Sequence, residues 1–424
     1  MKKPLLPLLV AGALLACGCS TDSGPVAVPP AGDGLVQPEP LSWWSRAAID
    51  SFIRFSSWRG ERSGYIVMVA RDGVPIYSNA AGWKDIASQA RMAVDTHVRI
   101  ASMTKPITAV AAMSLVEEGR LGLDDPVADY LPEFANLRIA TSQTPDAQGV
   151  YPTVPAKVPL TVRHLLMFSS GIGPGMDTEP PLVQHWQANG IRALEKGSLR
   201  ERVAGLARLP LFEEPGTRWR YGYSADVLAA VIEQVTGKNI EQVMQARIFE
   251  PLGMVDTRYE PPQDQRGSMA TVYTQDSEGD LVVAADHYDP DWNPGGGGLV
   301  STAADYMRFA LMLWNGGEYR GARILQASTL DDMRRLHMPQ GALAAVDIEG
   351  LGWGLGMAVV ADEDATLMPD RTGDFWWSGY YGTTFIVSPA TGLVAVILTQ
   401  NEPGEFSGLP YQVYVVQGLV YAGL

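Results

Sequence analysis

The sequence predicts an α+β fold: an antiparallel sheet assembled from the two ends of the chain, flanked by helices, with a mainly helical region inserted between them. Three observations lead there. Apolar, β-branched runs flank Asp72-Gly73 early in the folded part, a second pair flanks Ser388-Pro389-Ala390-Thr391-Gly392 near the end, and the long middle shows mostly helical spacing. At 424 residues, 46% of them hydrophobic, the chain is long enough to bury a sizeable core.

Taken in order, the chain opens with Lys2 and Lys3 before an apolar run from Leu5 to Ala16, which at 12 residues is too short to span a bilayer. This reads as a secretory signal peptide. Leu14-Leu15-Ala16-Cys17 resembles a bacterial lipobox, with Cys19 a second candidate for lipidation. Residues 1–19 are therefore expected to be a leader, and 20–42, rich in Pro, Gly and Ala, a tether. The expected location is the bacterial cell envelope, with membrane contact through the lipid anchor only. No cysteine follows Cys19, which excludes a disulfide, a cysteine nucleophile or Cys-ligated zinc in the folded part.

The folded domain is expected over 43–424, with its sheet-bearing part at about 43–115 and 300–424 and a helical insert at about 116–299. Tyr65 to Ala70 and the run through Val74, Ile76 and Tyr77 read as a hairpin across Asp72-Gly73. Gln143 to Pro159 is polar and proline-rich, hence loop. Thr161 to Ser169 and Ser224 to Thr236 have helical character, with Gly237 and Gly253 as stops. Thr302 and Asp305 fit a capping box. Thr384 to Val387 and Leu393 to Leu398 form the second hairpin, and Gly408 to Tyr421 a closing helix.

Composition removes several functions. There are 32 basic and 47 acidic residues, a net charge of −15, which argues against nucleic acid and against adhesion to anionic lipid. The histidines at 97, 164, 185, 287 and 337 show no metal-ligand spacing, and no metal or cofactor is implied. Gly295-Gly296-Gly297-Gly298 lacks the Gly-Lys-Ser/Thr of a phosphate loop and reads as a tight turn feeding a helix.

The nucleophile is sought among serines. Gly-x-Ser-x-Gly does not occur, whereas Ser102-Met103-Thr104-Lys105 is followed by Ile107, Val110, Ala111 and Leu115 at helical spacing. Ser102 and Lys105 then share one face at the start of an amphipathic helix, where backbone N–H groups favour negative charge. Such a pair needs no histidine. With five lysines outside the leader, chance places a serine three residues before one about 0.3 times, so the motif alone is moderate support. In Pro215-Gly216-Thr217-Arg218-Trp219-Arg220-Tyr221, a tyrosine precedes the helix from Ser224; it is either a proton shuttle or an aromatic packed against the sheet.

These segments, with Arg99 to Pro106, Leu160 to Leu166, Ser170-Gly171 and Gly297 to Ala303, resemble the serine β-lactamase and penicillin-binding-protein fold. Their order resembles the class C β-lactamase-related branch, and within it the family VIII carboxylesterases, over nearly all of the chain after Trp43. The resemblance implies Ser102 as acylated nucleophile, Lys105 and Tyr221 as its base pair, and the backbone N–H groups of Ser102 and Tyr380 as oxyanion hole. It places Trp377-Ser378-Gly379 where the β-lactamases carry Lys-Thr-Gly, and Tyr223 where they carry asparagine. Trp377, Ser378, Gly379 and Tyr223 are thus the expected substrate-binding residues. An aromatic in place of that lysine suits a neutral ester better than a carboxylate. The expected activity is hydrolysis of small neutral esters with short acyl chains. A β-lactamase, a D-amino-acid amidase or peptidase, and a non-turnover penicillin or peptidoglycan sensor are the alternatives.

Overall fold

Asp72 and Gly73 both adopt left-handed backbone angles (φ 50° and 79°), as a tight two-residue hairpin turn requires, and join β1 (Gly64–Arg71) to β2 (Val74–Asp85). In the computed structural model, which describes residues 39–175, 180–191, 197–262, 265–285, 292–338, 349–366, 369–403 and 411–424, this hairpin is part of one eight-stranded sheet. The other strands are β3 (Ala90–Arg91), β4 (Leu351–Trp353), β5 (Ala358–Val360), β6 (Phe375–Gly379), β7 (Thr383–Ser388) and β8 (Leu393–Leu398). Their order is β4-β5-β6-β7-β8-β1-β2-β3, and every pairing is antiparallel. The first and last parts of the chain meet where β1 pairs with β8. Cys17, Cys19 and the leader lie outside the described residues.

Register assigns the two faces. Directly paired residues of antiparallel strands point the same way. Met68 pairs with Val396, Val396 with Phe385, and Phe385 with Trp377, so these four form one row on one face. Helix α4 (Ala303–Trp314) covers that face, Tyr306 packing on Phe385 with ring centroids 5.2 Å apart. Tyr65, three residues from Met68, points to the opposite face. There it meets Phe52 and Ser56 of α1 (Trp43–Trp58), and its hydroxyl lies 2.8 Å from that of Ser56. Helix α5 (Tyr411–Ala422) lies beside α1, Leu419 accepting a hydrogen bond from Ser45 at 2.7 Å. Because helices cover both faces, β1, β7 and β8 are buried almost without interruption.

Helix α2 (Thr104–Glu117) departs from the expected amphipathic pattern: it is buried from Thr104 through Leu115. The insert closes over the side that would otherwise face water, and alanines at 109, 111 and 112 permit close approach. Helix α3 (Ser224–Thr236) spans the predicted residues and ends at Gly237 in the left-handed region; Gly253 likewise ends Glu250–Leu252. Part of the expected 143–159 loop is strand, since Thr153–Pro155 pairs with Arg138–Ala140. Thr302 does cap α4, accepting from the Asp305 N–H at 3.2 Å. The Asp305 carboxylate instead serves the Asp256 N–H and the Thr257 hydroxyl, so the box is half made.

Candidate active site

Ser102 stands in a single 3-10 turn (Ala101–Met103) that runs into α2. Ala101 holds φ at +46°, a strained value for a residue with a Cβ. The turn is fixed from both sides. Ile100 donates its N–H to Leu299 at 3.0 Å, while its carbonyl accepts the Thr383 hydroxyl at 3.1 Å. The Met103 carbonyl accepts the Tyr306 phenol at 2.9 Å.

One helical turn along, the buried Lys105 donates to the Ser102 Oγ at 2.9 Å and to the Gly296 carbonyl at 2.5 Å. Its Nζ also lies 4.8 Å from the centre of the Tyr221 ring. The glycine run explains itself here. The Gly295 carbonyl accepts the Thr108 hydroxyl at 2.7 Å, and the Gly296 N–H donates to the buried Asp226 at 3.0 Å. A Cβ at Gly295 would stand 2.2 Å from the Ala225 carbonyl oxygen. The run is threaded between α2 and α3 so that a peptide oxygen can receive the lysine. Sequence reasoning saw the turn and missed its use.

The Tyr221 Oη lies 2.6 Å from the Ser102 Oγ. Its approach is set by the segment before it. Gly216 donates to the Ser169 carbonyl and Arg220 to the Phe168 carbonyl, both at 2.7 Å. Arg220 forms an ion pair with Glu213, Nε to Oε2 2.7 Å. The Leu160 to Leu166 motif builds the other side of this scaffold. Thr161 caps the short helix Val162–Leu166, and the Thr161 N–H donates to the Nδ1 of His164 at 3.2 Å. Burial, reinforced by the neighbouring Arg163, holds the His164 pKa below the usual range, which keeps the ring neutral and able to accept. Gly216 packs on that ring, where a Cβ would stand 2.8 Å from Nε2.

Aromatic rings complete the walls. Tyr221 stacks on Phe168 and Trp219 with centroids 6.0 Å away in each case. Trp377 lies 5.7 Å from Tyr221 and meets Trp353 edge-on at 4.7 Å. Trp353, Trp219 and Phe168 were not foreseen, because an aromatic that lines a site looks in sequence like one that fills a core.

The expected substrate-binding residues separate into two groups. Trp377 adjoins Tyr221, whose hydroxyl reaches Ser102. The Ser378 hydroxyl is given to Thr384 at 3.1 Å, on the face away from Trp377. Gly379 is a packing requirement, since a Cβ there would be 2.3 Å from the Ile100 carbonyl oxygen. That contact holds the end of β6 against the Ile100 backbone just before the Ser102 turn, and the following residue, Tyr380, is exposed. Tyr223 stacks on Trp186 in the insert, ring centroids 6.2 Å apart.

A second array, Ser268, His97 and Asp256, imitates a catalytic triad. The His97 Nδ1 lies 2.8 Å from the Ser268 Oγ, and its Nε2 3.4 Å from Asp256. The Ser268 hydroxyl donates to the Gln265 carbonyl at 2.5 Å, so it accepts from His97 and its proton is turned away from the ring. It joins the 265–270 segment to His97, which also exchanges backbone bonds with Ser268 and Ala270.

Fold and site together are those of a serine hydrolase with the β-lactamase and penicillin-binding-protein fold, with a lysine and a tyrosine within hydrogen-bond reach of Ser102. The chain belongs to the Beta-lactamase family, whose model matches residues 49–416. It is 31% identical to Esterase EstB of Burkholderia gladioli over 378 residues, 81% of this chain and 88% of that one. It is 30% identical to the lovastatin esterase of Penicillium rubens, over 71% and 73% of the two chains. The solved structure of EstCE1, described as a hydrolase with promiscuous acyltransferase activity, superposes with a TM-score of 0.74 at 28% identity, covering 89% of this chain and 98% of that one.

Proposed function

We propose that this chain is a serine carboxylesterase for neutral esters of short acyl chains, exported and held in the bacterial envelope by a lipid on Cys17 (or Cys19). The observation that carries the reading is the Ser102 Oγ between the Tyr221 Oη at 2.6 Å and the Lys105 Nζ at 2.9 Å, beside Trp377 rather than a cation.

Ser102 attacks the ester carbonyl and passes its proton to the Lys105–Tyr221 pair, both within hydrogen-bond reach of its Oγ. The positive charge of Lys105 stabilises the negative charge on Tyr221 when the phenol is stripped of its proton. The tetrahedral oxyanion points at the N–H groups of Ser102 and Tyr380. As it collapses, the alkoxide leaves with the proton returned from Tyr221. Water then attacks the acyl-enzyme along the same path, the acid departs and Ser102 regains its proton. Four protein groups suffice, so the chemistry calls for no cofactor. Trp377, Trp353 and Trp219 leave a bulky, uncharged wall, which supports a small neutral acyl group over an anionic lactam.

A panel of p-nitrophenyl esters of increasing chain length, run beside the β-lactam nitrocefin, tests the reading. The expected order is fastest turnover for short esters, with nitrocefin slow. Nitrocefin turned over faster than every ester would replace the esterase with a lactamase. One adduct on Ser102 without steady-state product would replace it with a sensor.

A further inference from the structure

The net charge of −15 is a property of the whole chain, and one surface departs from it. On α1, Ile49, Ile53 and Ser56 face the sheet, while Trp43, Phe55 and Trp58 are 73%, 53% and 80% exposed and Trp44 is 39% exposed. At 3.6 residues per turn, Trp43, Ala47, Ser51, Arg54 and Trp58 follow one line down the outer side, with Trp44 and Phe55 along its edge. Arg46, Arg54 and Arg59 are exposed on or beside this face. Phe55 and Trp58 touch at 5.8 Å, and the Arg59 guanidinium lies 5.9 Å from the Phe55 ring, its charge shared with Glu61.

Exposed aromatic rings clustered on one helix are unusual for a surface meeting only water. Tryptophan and arginine are the side chains that favour the boundary between acyl chains and headgroups, the ring lying in the apolar layer and the guanidinium reaching out to phosphate. We infer that the outer face of α1 is a membrane-interfacial surface and that its occupant is the phospholipid headgroup layer. Two features select lipid. The three arginines outnumber Asp50 and Glu61, the acids of α1 and of the turn after it, so the patch is weakly basic on an acidic chain and matched to anionic phosphate. The helix also begins at Trp43, directly after the expected tether, so a lipid at Cys17 would deliver this face to the bilayer first. The choice of lipid therefore rests on the proposed envelope location.

The fold adds a consequence. α1 covers the Tyr65 face of the sheet, whereas Trp377 lies on the opposite face. Docked through α1, the enzyme turns its catalytic centre to the aqueous side, and its substrates are soluble esters rather than bilayer lipids.

The absence of cysteine beyond Cys19 makes a test direct. In the full chain carrying Cys17→Ser and Cys19→Ser, an environment-sensitive fluorophore is attached through Ser51→Cys on the outer face, or through Gln148→Cys on the insert. Each protein is mixed with vesicles of phosphatidylethanolamine and phosphatidylglycerol, with and without brominated acyl chains. The label at 51 is expected to shift to the blue and be quenched by bromine at least about twofold, the label at 148 to do neither, and Trp43→Ser with Trp58→Ser to abolish the shift at 51. Hydrolysis of a soluble short ester is expected to continue at its vesicle-free rate. A protein that sediments with vesicles while position 51 stays as unshifted as 148 is held by its leader alone, and overturns the inference. A shift at 51 that grows with protein concentration in the absence of vesicles assigns the face to a second copy and overturns it equally. The anchor is judged separately, by the mass of the N-terminal peptide of the wild-type protein from a bacterial envelope. A bare cysteine there removes the anchor and leaves the readout at 51 intact.

Discussion

At the scale of single residues, the oxygen of Tyr221 can be separated from its ring. The ring is fixed by Phe168, Trp219 and Trp377, so Tyr221→Phe keeps the packing and removes only the group 2.6 Å from Ser102. Its kcat is expected to fall about 10²- to 10⁴-fold, with Tm nearly unchanged, as kinetics and thermal unfolding would show. Trp377→Lys restores a cation where β-lactamases keep one, and is expected to raise turnover of anionic β-lactams relative to neutral short esters. An unchanged ratio between the two would remove the argument from the missing cation. The shared face of Ser102 and Lys105 was legible because a spacing of three on a helix brings two side chains together, whereas Tyr221 was singled out only through the family resemblance, its own context leaving a packed aromatic equally open. The Gly296 carbonyl was not legible. Its part in the site is played by a backbone atom, which every residue type carries.

Among the elements, the junction between α5 and the loop leading into β6 holds a buried acidic pair. Asp370 accepts from Gln417 at 2.5 Å, and Asp374 accepts from Tyr421 at 2.6 Å and from the Arg371 N–H at 2.8 Å. Burial first, and the charge of Asp374 second, push Asp370 up to about 7; burial also raises Asp374. A carboxyl with a higher pKa in the folded state holds its proton there after the unfolded chain has released its own. Stability is therefore lost as pH rises from about 4 to about 7 and levels off above. Asp370→Asn removes the larger part of this slope, leaving the contribution of Asp374. Its Tm is expected to match wild type near pH 4 and to exceed it at pH 8, the gain in unfolding free energy there being bounded by roughly 4 kcal/mol. A Tm at pH 8 equal to or below wild type would contradict the assignment. The glycine run gives a second expectation at this scale. Gly295→Ala forces a methyl group against α3 and is expected to cost about 1–3 kcal/mol in denaturant unfolding. Esterase activity should fall further than the loss of folded protein explains, because the Lys105 partner moves with the run. Legibility among elements followed the strength of local chemistry. Asp72-Gly73 and Gly237 announced a turn and a helix end through their left-handed backbone, whereas the burial of α2 is decided by an insert distant in sequence.

For the molecule as a whole, the antiparallel sheet built from both ends was legible because hairpins are local and their strands apolar. The placement of Trp377 beside Tyr221 was expected only through the family resemblance. It follows from a register that runs through four strands, from Met68 to Val396 to Phe385 to Trp377, and no local pattern encodes such a chain of pairings. The same geometry sets the aromatic face of α1 and the catalytic centre on opposite sides of one sheet. The central claim is that esters are cleaved through an acyl-enzyme on Ser102, and it is tested most directly with p-nitrophenyl acetate on wild type and Ser102→Ala, followed by acid quench and peptide mass analysis. Wild type is expected to turn over with acetyl found on the Ser102 peptide, and Ser102→Ala to lose at least about 10³-fold in kcat with no adduct. Turnover persisting in Ser102→Ala, or acetyl carried on another residue of the active wild-type enzyme, would contradict the account.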